Sequence, residues 1–193
     1  QNAFDEIREA IDFLRYYSNQ IIEISNVKEL EGPTGEKNII SYCSKGRILC
    51  ISPWNFPVAI LIGQISAALA CGNNVIIKPS EHTSILGYLI TKKFHEMGVP
   101  LEALELIIGG GAYGEALTKI NPLNGVAFTG SLKTAKKIQN NLLKNQNQIV
   151  PLIAETGGIN AMIVDSSALL EQVTDDVIRL SLIHISEPTR LTC

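Results

Sequence analysis

A change of pattern at Lys45 constrains the fold more than any other feature of this sequence. From there on, short apolar runs rich in β-branched residues alternate with longer segments of helical periodicity. Arg47–Ser52, Asn74–Lys78, Leu104–Ile108, Gly125–Thr129, Val150–Ala154 and Ala161–Val164 read as strands. Helices are expected at about 58–71, 84–97, 113–119 and 132–144 between the first five, and at about 168–180 after them. Strands separated by helices require right-handed crossovers, which build a parallel sheet covered on both faces. The expected fold class is therefore α/β.

The chain before this point is organised differently. Residues 3–25 carry Ile7, Ile11, Leu14, Tyr17, Ile21 and Ile24 at intervals of three or four, with charges elsewhere, which predicts an amphipathic helix. Glu31–Lys37 supplies turn residues without apolar periodicity and reads as a connector. Residues 1–44 thus form a helix and connector and 45–179 the α/β domain. Within it, Gly98-Val99-Pro100 marks the stop of the helix at 84–97.

Charge and composition narrow the function. Hydrophobic residues make up 46% and charged residues 18%, the balance of a packed core rather than a solvated chain. A net charge of −3 offers no basic face, so no nucleic-acid partner is expected for this segment. The most apolar run, Val58–Cys71, is broken by Gly63, Gln64 and Ser66 and is too short for a bilayer, so no membrane span is expected. Nothing resembles a secretory leader, which favours a cytoplasmic location with reduced thiols. Cys43, Cys50, Cys71 and Cys193 form no CxxC pair and His82, His95 and His184 are scattered, so no metal site is expected.

A parallel α/β sheet binds ligands beyond the carboxyl ends of its strands, where helix N-termini present free N–H groups. Informative residues stand there. Gly109–Gly114 fits GxGxxG between a strand and a helix, either as a pyrophosphate cradle or as a plain glycine turn. In Phe128-Thr129-Gly130-Ser131 the glycine permits close approach of a phosphate and Ser131 stands where a helix begins, as N-cap, anion donor or both. Lys78 and Glu81 straddle Pro79, either as a surface ion pair or as groups aimed at ribose hydroxyls. Glu155 follows an apolar run; a carboxylate at a buried strand end suits a general base, because desolvation disfavours its charged form, although backbone donors alone hold many such groups. Trp54 and Asn55 lie between two prolines; Trp54 fits a core position as well, while the Asn55 amide can donate to a developing oxyanion.

Four ordered motifs, Ile51-Ser-Pro-Trp-Asn-Phe-Pro57, Ile77-Lys-Pro-Ser-Glu81, Phe128-Thr-Gly-Ser131 and Glu155-Thr-Gly-Gly158, resemble the aldehyde dehydrogenase superfamily. The stretches Glu9–Tyr17, Gly32–Glu36 and Glu155–Asp165 resemble its 1-pyrroline-5-carboxylate (L-glutamate γ-semialdehyde) dehydrogenases, in the form that bacteria join to a proline dehydrogenase. The resemblance implies a Rossmann-like parallel sheet with helices on both faces, NAD as cofactor, an aldehyde substrate, a proline dehydrogenase domain on the same parent chain, and a homo-oligomer. It implies that Asn55 holds the substrate oxyanion and that Glu155 activates the water that hydrolyses a thioester. Lys78 and Glu81 would bind the adenosine ribose, with Gly110 and Gly114 in the loop by the adenine. Ser131, Gly130 and Phe128 would line the pyrophosphate path, and Ile51, Pro53 and Trp54 the cofactor-side wall.

The sequence departs from that pattern at its end. Carried on from Glu155 without gaps, the register puts Thr189 where the family has its nucleophilic cysteine, and Cys193 lies four positions late. Residues 180–193 read as a tail foreign to the family, similar to a translated sequencing adaptor. With the catalytic domain absent, the expectation is an inactive fragment of an enzyme. Two alternatives stay open: a non-catalytic dinucleotide-binding module, and an aldehyde dehydrogenase of different substrate.

Overall fold

The computed structural model describes residues 2–158 and 161–178. Helix α1 (Asn2–Ile24) comes first, then a two-stranded antiparallel pair, β1 (Lys28–Leu30) and β2 (Asn38–Ile40). The expected connector is the loop of this pair, and Gly35 closes its turn at φ +94°, a conformation that suits glycine. The pair itself was not expected, because three-residue exposed strands carry no apolar alternation.

The domain proper is a five-stranded parallel sheet of order β5-β4-β3-β6-β7. Its strands are β3 (Arg47–Ile51), β4 (Asn74–Lys78), β5 (Leu104–Leu106), β6 (Gly125–Gly130) and β7 (Leu152–Thr156). Helices α2 (Ala59–Ala70), α3 (Ser84–Glu96), α4 (Gly111–Leu117) and α5 (Leu132–Asn145) connect them in order, and α6 (Leu170–Ile178) follows. The α/β class with helices on both faces is as expected.

Alternation along the strands divides the core in two. Cys50, Val75, Ile77 and Leu104 pack with Leu61 and Ile65 of α2 on one face. Leu49, Ile76, Val126 and Phe128 pack with Ile138 and Leu142 of α5 on the other. Gly98, at φ +100°, ends α3 as its sequence predicts.

Three expectations need correction. Ala161–Val164 forms no strand, and Ile163 is 93% exposed. Helix α1 forms, but it buries Ala10 with Phe13 and Tyr17 half-covered, while Ile7, Ile11 and Leu14 stay exposed. It packs on α2 rather than on the sheet, and the small Gly63 there admits the Phe13 ring, whereas a Cβ would come within 3.2 Å of it. β7 is not the buried strand its apolar run suggests. Among the described residues it pairs with β6 alone, and Ile153 is 66% exposed. The tail at 180–193, with Thr189 and Cys193, lies outside the described residues.

Candidate functional site

Strand order fixes where a ligand can sit. β3 has β4 on one side and β6 on the other, so the chain leaves the two central strands in opposite directions and a crevice opens between the loops that follow them. Lys78, Ile51, Phe128 and Ala154 stand in register across β4, β3, β6 and β7, with Thr129 and Glu155 paired one step further out. The motifs found in the sequence therefore share one edge of the sheet. Three strand spacings separate the Lys78 end from the Glu155 end, roughly 14 Å.

At the β4 end the lysine is buried and the carboxylate is not. Lys78 Nζ lies 3.6 Å from Glu81 Oε2, with the lysine side chain 6% and the glutamate 52% exposed. Glu81 opens the short 3-10 turn Glu81–Thr83, capped by Ser80, whose Oγ accepts from the His82 N–H. Its own backbone N–H, the largest effect, holds the Glu81 carboxyl below its ordinary pKa; desolvation, next in size, opposes it, and the nearby Lys78 and His82 add to the lowering. The glycine loop lies over this pair. A Cβ on Gly114 would stand 3.7 Å from Lys78 Cδ, and one on Gly110 would stand 4.0 Å from Glu81 Oε1. The structure thus joins Lys78, Glu81, Gly110 and Gly114 into one surface, and the simple surface ion pair does not describe it.

At the β6 end, Ser131 is the N-cap of α5 and its Oγ accepts from the Thr134 N–H at 3.2 Å. Gly130 is required by packing, since a Cβ there would come within 2.7 Å of Phe128 Cζ. Phe128 is 4% exposed: its ring packs in the core beneath Gly130, and the residue also borders the cavity that Thr129 and Glu155 line.

Between these ends runs the loop from β3 to α2. Ile51 and Pro53 are half-buried and Trp54 is 51% exposed, so the indole is not a core side chain. Asn55 Oδ1 is buried without a hydrogen-bond partner, which turns the amide oxygen inward.

Glu155 is exposed, contrary to the buried strand end expected of it, because β7 is an edge strand among the described residues. With Phe13, Tyr17, Gln64, Thr129 and Ile153 it lines a cavity of about 680 Å³ between α1, α2 and the sheet. Gln64 is a residue that motif reading missed. Its Nε2 donates to Thr129 Oγ1 at 3.2 Å and to Ile51 O at 3.4 Å, tying β3 to β6 at the crevice. The signal was there, as a polar side chain interrupting the apolar run of α2.

Residues 1–185 match the model of the aldehyde dehydrogenase family. The bifunctional protein PutA of Klebsiella aerogenes is 46% identical over 181 residues, which cover 92% of this chain and 13% of that protein. The 1-pyrroline-5-carboxylate dehydrogenase of Geobacillus thermodenitrificans is 36% identical over 182 residues, 92% of this chain and 35% of that one. A structure of proline utilization A with proline bound in remote sites superposes with a TM-score of 0.90 at 47% identity, over 92% of this chain and 18% of the other. PnpE in complex with nicotinamide adenine dinucleotide does so with a TM-score of 0.84 at 27% identity, over 93% and 36%. This chain belongs to the aldehyde dehydrogenase family.

Proposed function

We propose that the chain is the cofactor-binding portion of an NAD-dependent dehydrogenase that oxidises L-glutamate γ-semialdehyde, the open form of 1-pyrroline-5-carboxylate, to L-glutamate in proline catabolism. Its parent protein would also carry a proline dehydrogenase domain and assemble as a homo-oligomer. The observation that carries the cofactor assignment is the buried Lys78 held against the exposed Glu81 under Gly114 and Gly110. This surface fits an adenosine ribose: Glu81 offers carboxylate oxygens to its hydroxyls, Lys78 adds a fixed donor, and the missing side chains leave room for the sugar.

In this reading Ser131 and Gly130 receive the pyrophosphate at the N-terminus of α5, while Ile51, Pro53 and Trp54 form the wall beside the cofactor. NAD, when bound, supplies the hydride acceptor. Asn55 donates from Nδ2 to the aldehyde oxygen as negative charge grows there. Glu155 takes the proton of the water that releases the acyl group from the attacking thiolate.

No such thiolate stands at the strand ends among the described residues. Cys50 is enclosed in the core, and burial pushes its thiol up to about 12. Cys43 precedes β3 and Cys71 ends α2, both at the opposite edge of the sheet. The chain by itself is therefore expected to turn over no aldehyde.

The test is turnover by the full-length parent with NAD, comparing L-glutamate γ-semialdehyde with a simple aliphatic aldehyde. A preference for the aliphatic aldehyde overturns the substrate assignment.

A further inference from the structure

We infer that Glu6, on the first helix, is a positioning residue for Asn55: its carboxylate clamps the downstream end of the loop that aims the asparagine amide. The inference rests on the oxyanion role proposed above for Asn55.

Nothing local aims that amide. Asn55 Oδ1 is buried without a partner, and no hydrogen bond holds its side chain among the described residues. Its direction is therefore set by the backbone of the loop. Pro53 and Pro57 flank the short segment, and their fixed φ makes it a stiff lever: a shift at either anchor is passed on to Asn55 rather than absorbed.

The upstream anchor is the end of β3, where Ile51 is paired on both sides and the Ser52 N–H reaches Lys78 O at 3.4 Å. The downstream anchor is the first turn of α2. A helix begins with N–H groups that have no partner inside it, and these are commonly met by an oxygen at the N-cap. Here the N-cap is Val58, which has no such oxygen. Glu6 meets the need from another helix, for its Oε1 accepts from the Val58 N–H at 2.7 Å and from the Ala59 N–H at 3.3 Å. A carboxylate at this place also gains from the positive end of the helix dipole.

Helix α1 is held so that the clamp stays in place. Ala10, one turn after Glu6, is 2% exposed, and the Phe13 ring lies against Gly63 of α2. One carboxylate thus fixes both the start of α2 and, through Pro57, the position of Asn55. An oxyanion donor acts only when it is already in place as charge develops, so a small displacement of the loop weakens acylation selectively. Lys78 and Glu155 stand on β4 and β7, outside this loop, which shares with the cofactor wall only Pro53 and Trp54 at its upstream end.

The experiment uses single-turnover kinetics of the full-length parent. Glu6→Ala should lower the rate of the first NADH burst about tenfold, with the NAD dissociation constant and the deacylation rate held within about twofold. Glu6→Gln keeps an acceptor oxygen and should recover most of the burst rate. Glu6→Asp stops one methylene short and should slow the burst while retaining the fold, which covers the case in which Glu6→Ala fails to fold. Leu142→Ala, in the core on the other face of the sheet, should lower the melting temperature without slowing the burst. A burst unchanged in both Glu6→Ala and Glu6→Asp, or slowed equally by Leu142→Ala, overturns the inference. If Asn55→Ala slows the burst and the Glu6 variants do not, this inference alone falls; if Asn55→Ala leaves the burst unchanged, the role of Asn55 falls and this inference with it.

Discussion

The Lys78 ammonium is buried while the Glu81 carboxylate that it approaches to 3.6 Å remains half in solvent. The pair is thus asymmetric: the lysine is fixed by the fold, and the glutamate keeps free oxygens for another donor. That asymmetry suits ligand recognition better than stability, since a partly exposed ion pair contributes little to folding.

Glu81→Gln in the full-length parent should relax discrimination against NADP, because a neutral amide no longer repels a 2′-phosphate. The ratio of kcat/KM for NAD to that for NADP should fall by about tenfold or more. A native enzyme that already prefers NADP contradicts the assignment of Glu81.

The same carboxyl sets a pH dependence with a definite sign. Its folded pKa lies below the unfolded value, so its charged form persists as pH falls through the ordinary carboxylate range near ~4.3 and is lost only below it. NAD affinity measured by titration should therefore hold down to that range and weaken beneath it, and Glu81→Gln should remove the step. A midpoint above the ordinary range contradicts the burial and pairing described for this site.

Much of this site was legible in the sequence for a physical reason. Val75-Ile76-Ile77, a short β-branched run closed by Pro79, reads as a buried strand, which puts Lys78 at its end, and Pro79 kept Glu81 nearby. Ser131 was legible as a cap because a strand and a helix meet there. What escaped depends on contacts between distant segments. Glu6 accepts from the N-cap Val58, 52 positions later, and no local pattern records such a bond. The burial expected of Glu155 failed for a related reason: an apolar run shows that a strand needs cover but not whether this chain supplies it. For α1 the helical period was plain, but the buried stripe was chosen by the fit of Phe13 to Gly63.

Gly130→Ala tests the packing beneath the turn that leads from β6 into α5. The added Cβ would meet the buried Phe128 ring at 2.7 Å, so the ring or the turn must move. Chemical denaturation should show a loss of about 1–3 kcal/mol, and Phe128→Leu should recover part of it in the double variant. Strictly additive losses would contradict the contact.

The cysteines should differ in reactivity. At pH 8 a maleimide, mapped by peptide mass spectrometry, should label the exposed Cys43 and Cys71 in the native chain and reach Cys50 only after denaturation. Native labelling of Cys50 would contradict the closed core between the sheet and α2.

The central claim is that Glu155 serves the release of product rather than the binding of cofactor, and a single variant tests it most directly. Glu155→Gln in the full-length parent keeps the size of the side chain and removes the base. Rapid-mixing kinetics with L-glutamate γ-semialdehyde and NAD should show the first NADH burst preserved and steady turnover reduced by roughly 10²–10⁴-fold. Loss of the burst along with turnover, or a large rise in the NAD dissociation constant, would contradict it.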